Sequence, residues 1–245
     1  LLTVEGLTKS FGPHRVLDGF GLTLPRNGFT VLVGPSGCGK TTLFDVLTGI
    51  APPDRGEIRW RGRPVESLAW IAAYMHQKDL LLPWLPLLEN ALLPARLARQ
   101  DAREARERAR GLFDRMGLSG YEGYLPARVS GGMRQRCALV RTLMFDRELV
   151  LLDEPLSALD AITRRHLHGL LRMLQSEFDR TLLMITHDIE EALLLADEVL
   201  VLGGAPLRVI ERFEPGREKP RCESDPGLLV LKARALDLLA EGDGR

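Results

Sequence analysis

The sequence is poor in cysteine. Its 245 residues hold only Cys38, Cys137 and Cys222, scattered and odd in number. That excludes a disulfide framework, and the wide separation leaves no metal-ligand spacing among them; a reducing compartment is expected. A surplus of either charge is also missing. Lys and Arg total 33, and Asp and Glu total 33, so nothing suggests a general nucleic-acid binder, and no nucleic-acid partner is expected. No apolar run is long enough to span a bilayer, because Arg, Asp, Glu or Pro interrupts each one. No signal-peptide pattern is visible. The hydrophobic fraction of 45% is ordinary for a globular protein. The length has room for one large domain, or a domain with an inserted subdomain.

The most informative stretch is residues 34–42, GPSGCGKTT. It fits a phosphate-cradling loop, a Gly, four residues and then Gly-Lys-Ser/Thr, with Gly34, Gly39, Lys40 and Thr41 in register. An apolar run, residues 29–33, leads in as a buried strand, and residues 43–47 follow as a helix. Strand, Gly-rich loop and helix is the context the chemistry needs. Gly34, Gly37 and Gly39 let the backbone curl so that successive N–H groups face one anion. The helix starting near Lys40 adds its positive dipole end. The Lys40 ammonium can reach β- and γ-phosphates, and the Thr41 hydroxyl can ligate Mg²⁺. Pro35, Ser36, Cys38 and Thr42 complete the loop. A Gly-rich turn that merely joins strand to helix is the plain alternative. Cys38 is read as a small filler side chain, beside the alternative of a thiol activated by the helix N-terminus.

Before this loop, residues 1–24 contain two strand-like segments separated by Ser10-Phe11-Gly12-Pro13. Phe11, on that break, is either a core aromatic under a loop or a platform for a nucleotide base. After the loop, residues 51–56 are a turn, residues 57–62 alternate as a half-exposed strand, and residues 71–75 form a short strand ending at His76-Gln77. Gln77 is a surface glutamine or a side chain that reaches a bound phosphate or Mg²⁺. The pattern turns helical from residue 80 to about 146. Residues 80–88 are apolar but broken by two prolines, so they suit neither a central strand nor a regular helix. Burial in the chain's own core is one reading; an exposed patch for a partner is the favoured one. Residues 101–117 form an amphipathic helix whose arginines are balanced by Glu104, Glu107 and Asp114.

Ser130-Gly131-Gly132 opens another helix and reads as an N-cap and a second anion site. Residues 148–154, ELVLLDE, suggest a strand buried on both faces whose C-terminal edge carries two acids, Asp153 and Glu154. Residues 161–178 are helical. Residues 181–186 form another buried strand ending in His187-Asp188, and a further helix and strand follow. The repeated strand–helix order means α/β with a parallel sheet. After Pro215 the composition becomes charged and Pro-rich, and residues 228–239 read as a short terminal helix.

Taken in order, Phe11, the phosphate loop, Gln77, Ser130-Gly131-Gly132, Asp153-Glu154, Ser157-Ala158-Leu159-Asp160 and His187 resemble the ATP-binding subunit of ABC transporters. The resemblance covers nearly the whole chain to about Leu202. It implies a P-loop NTPase fold with a mixed central sheet, an antiparallel β subdomain and an inserted α-helical subdomain. Residues 1–79 and 147–214 would be the nucleotide-binding core, 80–146 the helical subdomain and 215–245 a C-terminal tail. It implies that Phe11 stacks on adenine and that residues 34–42 are the Walker A loop. Gln77 would sense Mg²⁺ and the γ-phosphate, Ser130 to Gly132 would be the signature, and Asp153 would be the Walker B acid. Glu154 would be the general base, Asp160 would cross a dimer interface and His187 would be the switch histidine on the γ-phosphate. Val129 stands where Leu is usual and Met133 where Gln is usual; Ser130 and the glycines are intact.

One phosphate loop leaves the far side of the γ-phosphate open. A signature helix from a second copy would close it, so the expected state is a head-to-tail homodimer with two ATP molecules buried between copies. The segment from Gln77 to Trp84 is similar to importers of the nitrate, taurine, sulfonate and thiamine-precursor type. That implies an integral-membrane permease as partner, indirectly a solute-binding protein, and a place on the cytoplasmic face of the inner membrane. A soluble ABC ATPase of the iron–sulfur-assembly type is the alternative. A nucleotide kinase would share only the phosphate loop and leave Ser130 and His187 without a task.

Overall fold

The computed structural model describes residues 1–157, 160–216 and 218–242. The alternating residues at the start form a long hairpin. Strand β1, Leu2–Phe11, pairs antiparallel with β2, His14–Leu24, from Leu2 opposite Leu24 to Phe11 opposite His14. Ser10 and Phe11 therefore belong to β1 and not to the break expected between two shorter strands; only Gly12 and Pro13 make the turn. The pattern survives to the tip because bulges take up the register shifts between Val4 and Ser10.

The chain then enters β3, Phe29–Val33, and the helix α1, Lys40–Thr48. Strands β4, Arg55–Trp60, and β5, Arg63–Val65, complete an antiparallel sheet in the order β2-β1-β4-β5. Strand β6, Ala72–Met75, follows. Between residues 80 and 146 every named element is helical: α2, Leu87–Ala91; α3, Leu93–Leu97; α4, Ala102–Arg115; a 3-10 turn, Pro126–Arg128; and α5, Gly131–Leu143. Strand β7, Leu149–Asp153, helix α6, Ala161–Ser176, strand β8, Thr181–Thr186, helix α7, Ile189–Leu195, and strand β9, Glu198–Gly203, restore the α/β alternation. Strand β10, Arg208–Phe213, and helix α8, Pro226–Gly242, close the chain.

The second sheet runs β10-β9-β3-β8-β7-β6, parallel throughout except for β10 against β9. Its inner strands are buried on both faces, which is why they read as unbroken apolar runs. Successive side chains feed two cores. Leu32, Leu151 and Leu183 pack with α1 and the antiparallel sheet, whereas Val31, Val150, Leu152 and Leu182 pack with residues of α5, α6 and α7. In the parallel register Val33 pairs with Thr186, Asp153 with Ile185 and Met75 with Leu152. The C-terminal ends of β3, β6, β7 and β8 thus share one edge, and each runs into a segment singled out in the sequence.

The apolar stretch at residues 80–88 divides between the two readings made of it. Leu81, Leu87 and Leu88 are core, while Leu80 and Trp84 are exposed. The fully buried Asn90 shapes the segment. Its Oδ1 accepts from Leu82 N at 2.7 Å, and its Nδ2 donates to the carbonyls of Leu82 and Leu85. The terminal helix expected at residues 228–239 is present as α8, Pro226–Gly242, and it is docked. Helix α8 buries Leu228 and Ala235 in the core, and Arg221 donates to the carbonyls of Leu193 and Ala196.

Candidate functional site

Between β3 and α1 the backbone doubles back over the sheet edge. A Cβ at Gly34 would lie 2.6 Å from the carbonyl oxygen of Leu202, so no larger residue fits there. Gly39 has φ +110, and a Cβ on it would lie 2.6 Å from Val16 of β2. These approaches force the turn that aims the start of α1 outward. Lys40 is buried, and its ammonium donates to the carbonyls of Gly34 at 2.8 Å and Pro35 at 2.7 Å. The cation is held inside the loop by the loop's own backbone. Cys38 lies alongside, and burial raises its thiol pKa against the opposing charge of Lys40.

Thr41 faces β7. Its hydroxyl donates to Asp153 Oδ2 at 3.1 Å. Burial pushes the Asp153 carboxyl up to about 6, with the Thr41 hydrogen bond acting against it and the neighbouring Glu154 adding to it. A buried carboxylate and a hydroxyl presented together are a hard-oxygen donor pair, the kind Mg²⁺ takes when substrate phosphates supply the rest of its shell. Among the described residues no group of three or more His, Cys, Asp or Glu side chains could hold a metal by itself. These residues therefore fit a metal that arrives with a phosphate ligand.

Glu154 follows the end of β7 with φ +47, a left-handed conformation uncommon for a residue with a Cβ. Its N–H is fixed to the Ile185 carbonyl at 2.9 Å. Two side chains from neighbouring strand ends meet its Oε2. Gln77 Nε2 donates at 3.1 Å, and His187 Nδ1 lies at 3.3 Å. So Lys40, Thr41, Gln77, Asp153, Glu154 and His187 all stand on one edge of one sheet.

Two groups of bracing residues were not singled out in the sequence. Behind Gln77, Arg141 of α5 donates to the carbonyls of Asp79 at 2.6 Å and Leu80 at 2.7 Å, and Arg134 Nε meets Asp79 Oδ2 at 3.0 Å. Behind His187, Asp188 caps α7 by accepting from the N–H groups of Glu190 and Glu191. The buried Glu191 accepts from Thr186 Oγ1 at 2.9 Å, and Arg164 of α6 approaches both acids at 3.4 Å. The Asp-x-x-Glu spacing of a helix start was the visible signal for the second group. The first depends on long-range pairing and left none.

The other candidates stand apart. Ser130 caps α5 by accepting from Met133 N at 3.2 Å and is exposed; among the described residues no hydrogen bond or ion pair joins Ser130, Gly131 or Gly132 to residues 34–42. Asp160 accepts from Thr163 N and Oγ1 at the start of α6, while Ala158 and Leu159 lie outside the described residues. Phe11 is exposed at the tip of the first hairpin, with Lys9 Nζ 5.2 Å from its ring centre.

A family model described as ABC transporter matches residues 17–157. The chain belongs to the ABC transporter family. Its activity is therefore that of an ABC ATPase, ATP binding and hydrolysis. Over 244 residues the ABC chain is 38% identical to the aliphatic sulfonates import ATP-binding protein SsuB of Burkholderia ambifaria, covering 99% of this chain and 73% of that protein. It is 39% identical to the taurine import ATP-binding protein TauB of Pseudomonas aeruginosa, covering 96% and 94% of the two. The dimeric structure of an ATP-binding cassette in a post-hydrolysis state, bound to ADP and Pi, superimposes with a TM-score of 0.81 at 25% identity, covering 89% of this ABC chain and all of that one.

Proposed function

We propose that this ABC ATPase powers the import of a small sulfonate, of the aliphatic sulfonate or taurine type, through an integral-membrane permease. The supporting observation is the split between its two phosphate-binding elements. Loop, acids and histidine share one sheet edge, while the exposed Ser130 cap has no bond to them among the described residues. Each copy then owns half of a site, and two copies packed head to tail complete two sites. The dimeric relative and the importer names of the homologues support the same reading.

In this reading Lys40 leaves the carbonyls of Gly34 and Pro35 for the β- and γ-phosphates, and the loop N–H groups from Gly34 to Thr42 take the remaining phosphate oxygens. Thr41, Asp153 and Gln77 would hold Mg²⁺, which when bound would neutralise charge on the phosphates. Glu154 accepts a proton from the attacking water, and His187 and Gln77 orient that carboxylate. Phe11 stacks on adenine, and Asp160 crosses to the other copy. Ser130, Gly131 and Gly132 of that copy donate to the γ-phosphate. Separation of γ-phosphate from ADP removes the adhesive between copies, and the permease takes up that motion. The chain sits on the cytoplasmic face of the inner membrane, held there by the permease, which receives solute from a separate binding protein.

The test is co-expression with a permease and a binding protein of the sulfonate or taurine import type. The chain is expected to co-purify with the permease in detergent and to hydrolyse ATP faster when solute-loaded binding protein is added. The same protein alone should show a thermal shift with MgATP that Lys40→Ala abolishes. Purification without any membrane partner would return the soluble reading, and a fully active closed monomer would remove the half-site argument.

A further inference from the structure

A second cavity lies away from the nucleotide edge, where α4, α5 and α6 meet the β6–β7 side of the sheet. Its volume is about 200 Å³. The walls are apolar, formed by Leu112, Leu143, Val150, Leu170, Leu174 and Phe178. A dry apolar cavity of roughly 150 Å³ takes a benzene-sized molecule, so this one accommodates a tail of roughly six to eight carbons. The lining is strongly positive: Arg108, Arg115, Arg147 and Arg180 stand against a single acid, Asp146. Asp146 is itself engaged by Arg180 at 2.5 Å and Arg108 at 3.3 Å. Arg115 NH1 lies 3.1 Å from Met173 Sδ. Arg147 makes no hydrogen bond or ion pair among the described residues. A greasy chamber with an uncommitted guanidinium at its edge is complementary to one ligand class, a short aliphatic chain ending in an anion.

We propose that this cavity binds a medium-chain alkyl carboxylate or alkyl sulfonate, and that the occupant slows ATP turnover. The occupant would touch α5, whose N-terminus is capped by Ser130, and β7, which ends at Asp153. It would also touch α6, which begins beside Asp160. Filling the space stiffens the packing between the elements that carry the two halves of the phosphate chemistry.

Gly111 gives a clean way to close the mouth. It is exposed, lines the cavity, and a Cβ built on it meets no atom within 4 Å. Gly111→Leu therefore starts from open space at Cβ, adds bulk at the mouth and raises helix propensity in α4. Calorimetry with sodium octanoate, sodium octanesulfonate, octanol and octyltrimethylammonium, each below its micelle concentration, reads the site. Both anions should saturate one site per chain, with the tighter of the two naming the head group. Gly111→Leu and Arg147→Glu should weaken both at least tenfold while circular dichroism stays unchanged. Lys40→Ala should bind them like the unmodified chain, which separates this site from the nucleotide site. At saturation ATP hydrolysis should slow at least twofold, and Gly111→Leu should be insensitive. Octanol or the cation binding as well as the anions, or both variants binding normally, would overturn the site. Saturable binding with an unchanged hydrolysis rate would overturn the control of turnover.

Discussion

Glu154 Oε2 lies 3.3 Å from His187 Nδ1, and the two residues come from the ends of adjacent parallel strands. Gln77 Nε2 reaches the same oxygen from the next strand along, at 3.1 Å. One carboxylate oxygen is therefore positioned from two sides, while the other has no hydrogen-bond partner among the described residues. Glu154→Gln keeps the shape and removes the basicity. A positioned base typically contributes about 10²- to 10⁴-fold, so the variant should lose at least about a hundredfold in phosphate release. It should keep its MgATP thermal shift and accumulate as a dimer on gel filtration with ATP. Normal turnover would take the base role away from Glu154.

Much of this site was legible in the chain because its parts are local. The GPSGCGKTT loop carries its own geometry, and residues 149–152 and 182–185 announce burial on both faces by being unbroken apolar runs. Parallel strands then leave little choice about where their C-terminal residues gather. What could not be read was fixed by distant partners. Residues 80–88 look uniformly apolar, yet Asn90 decides which of them are core, and nothing in the sequence ties that amide to Leu82 and Leu85. The terminal helix read at residues 228–239 is there as α8, but its docking was not legible for the same reason: among the described residues only Leu228 and Ala235 of α8 are buried, too sparse a set to show which face packs. The hairpin tip was misplaced by the pull of Gly12 and Pro13, which made Ser10 and Phe11 look like part of the turn.

Arg141 and Asp79 test the brace behind Gln77. Arg141 satisfies two main-chain carbonyls, so Arg141→Ala leaves the exposed carbonyl of Leu80 to water and strands the carbonyl of Asp79 in a part-buried place. Groups left unpaired there cost about 1–3 kcal/mol. The Asp79–Arg134 pair is partly solvated, and such pairs contribute about 0.2–1 kcal/mol. Asp79→Asn removes the charge of that pair and keeps an oxygen for the N–H of Leu81, which Asp79 Oδ1 accepts at 3.1 Å. Urea denaturation should therefore rank Arg141→Ala below Asp79→Asn in stability, and Arg141→Ala should also lose ATPase rate as Gln77 loosens. The reverse ranking would show that the carbonyl bonds carry little.

The cysteines should react in an order set by their surroundings. Cys222 is exposed, and its Sγ lies 3.0 Å from Ser224 Oγ, a contact that lowers the thiol pKa. Burial raises Cys38 and pushes Cys137 up to about 12. Since the thiolate is the reactive form, iodoacetamide near neutral pH should label Cys222 first, Cys38 slowly and Cys137 only after unfolding. Peptide mass spectrometry over a time course reads this directly. Added MgATP should protect Cys38 and leave Cys222 unaffected; fastest labelling at Cys38 would mean that its thiol is activated by the loop.

His168 in α6 should make the fold acid-sensitive. Burial pushes its pKa from 6.5 down to about 4, and the charges of Arg172 and Arg164 push the same way. Its Nε2 has no hydrogen-bond partner among the described residues. The folded chain keeps this ring neutral, whereas the unfolded chain protonates it below about 6.5. Between those two values the unfolded state binds the extra proton, so stability falls as pH falls through this window and is fully present above it. His168→Gln removes that proton from the unfolded state's account. Melting curves from pH 7.5 to 4.0 should therefore fall less steeply for the variant than for the unmodified chain, with the two lines diverging below about 6.5. Parallel lines would mean that the ring is protonated equally in both states, and that solvent reaches it in the fold.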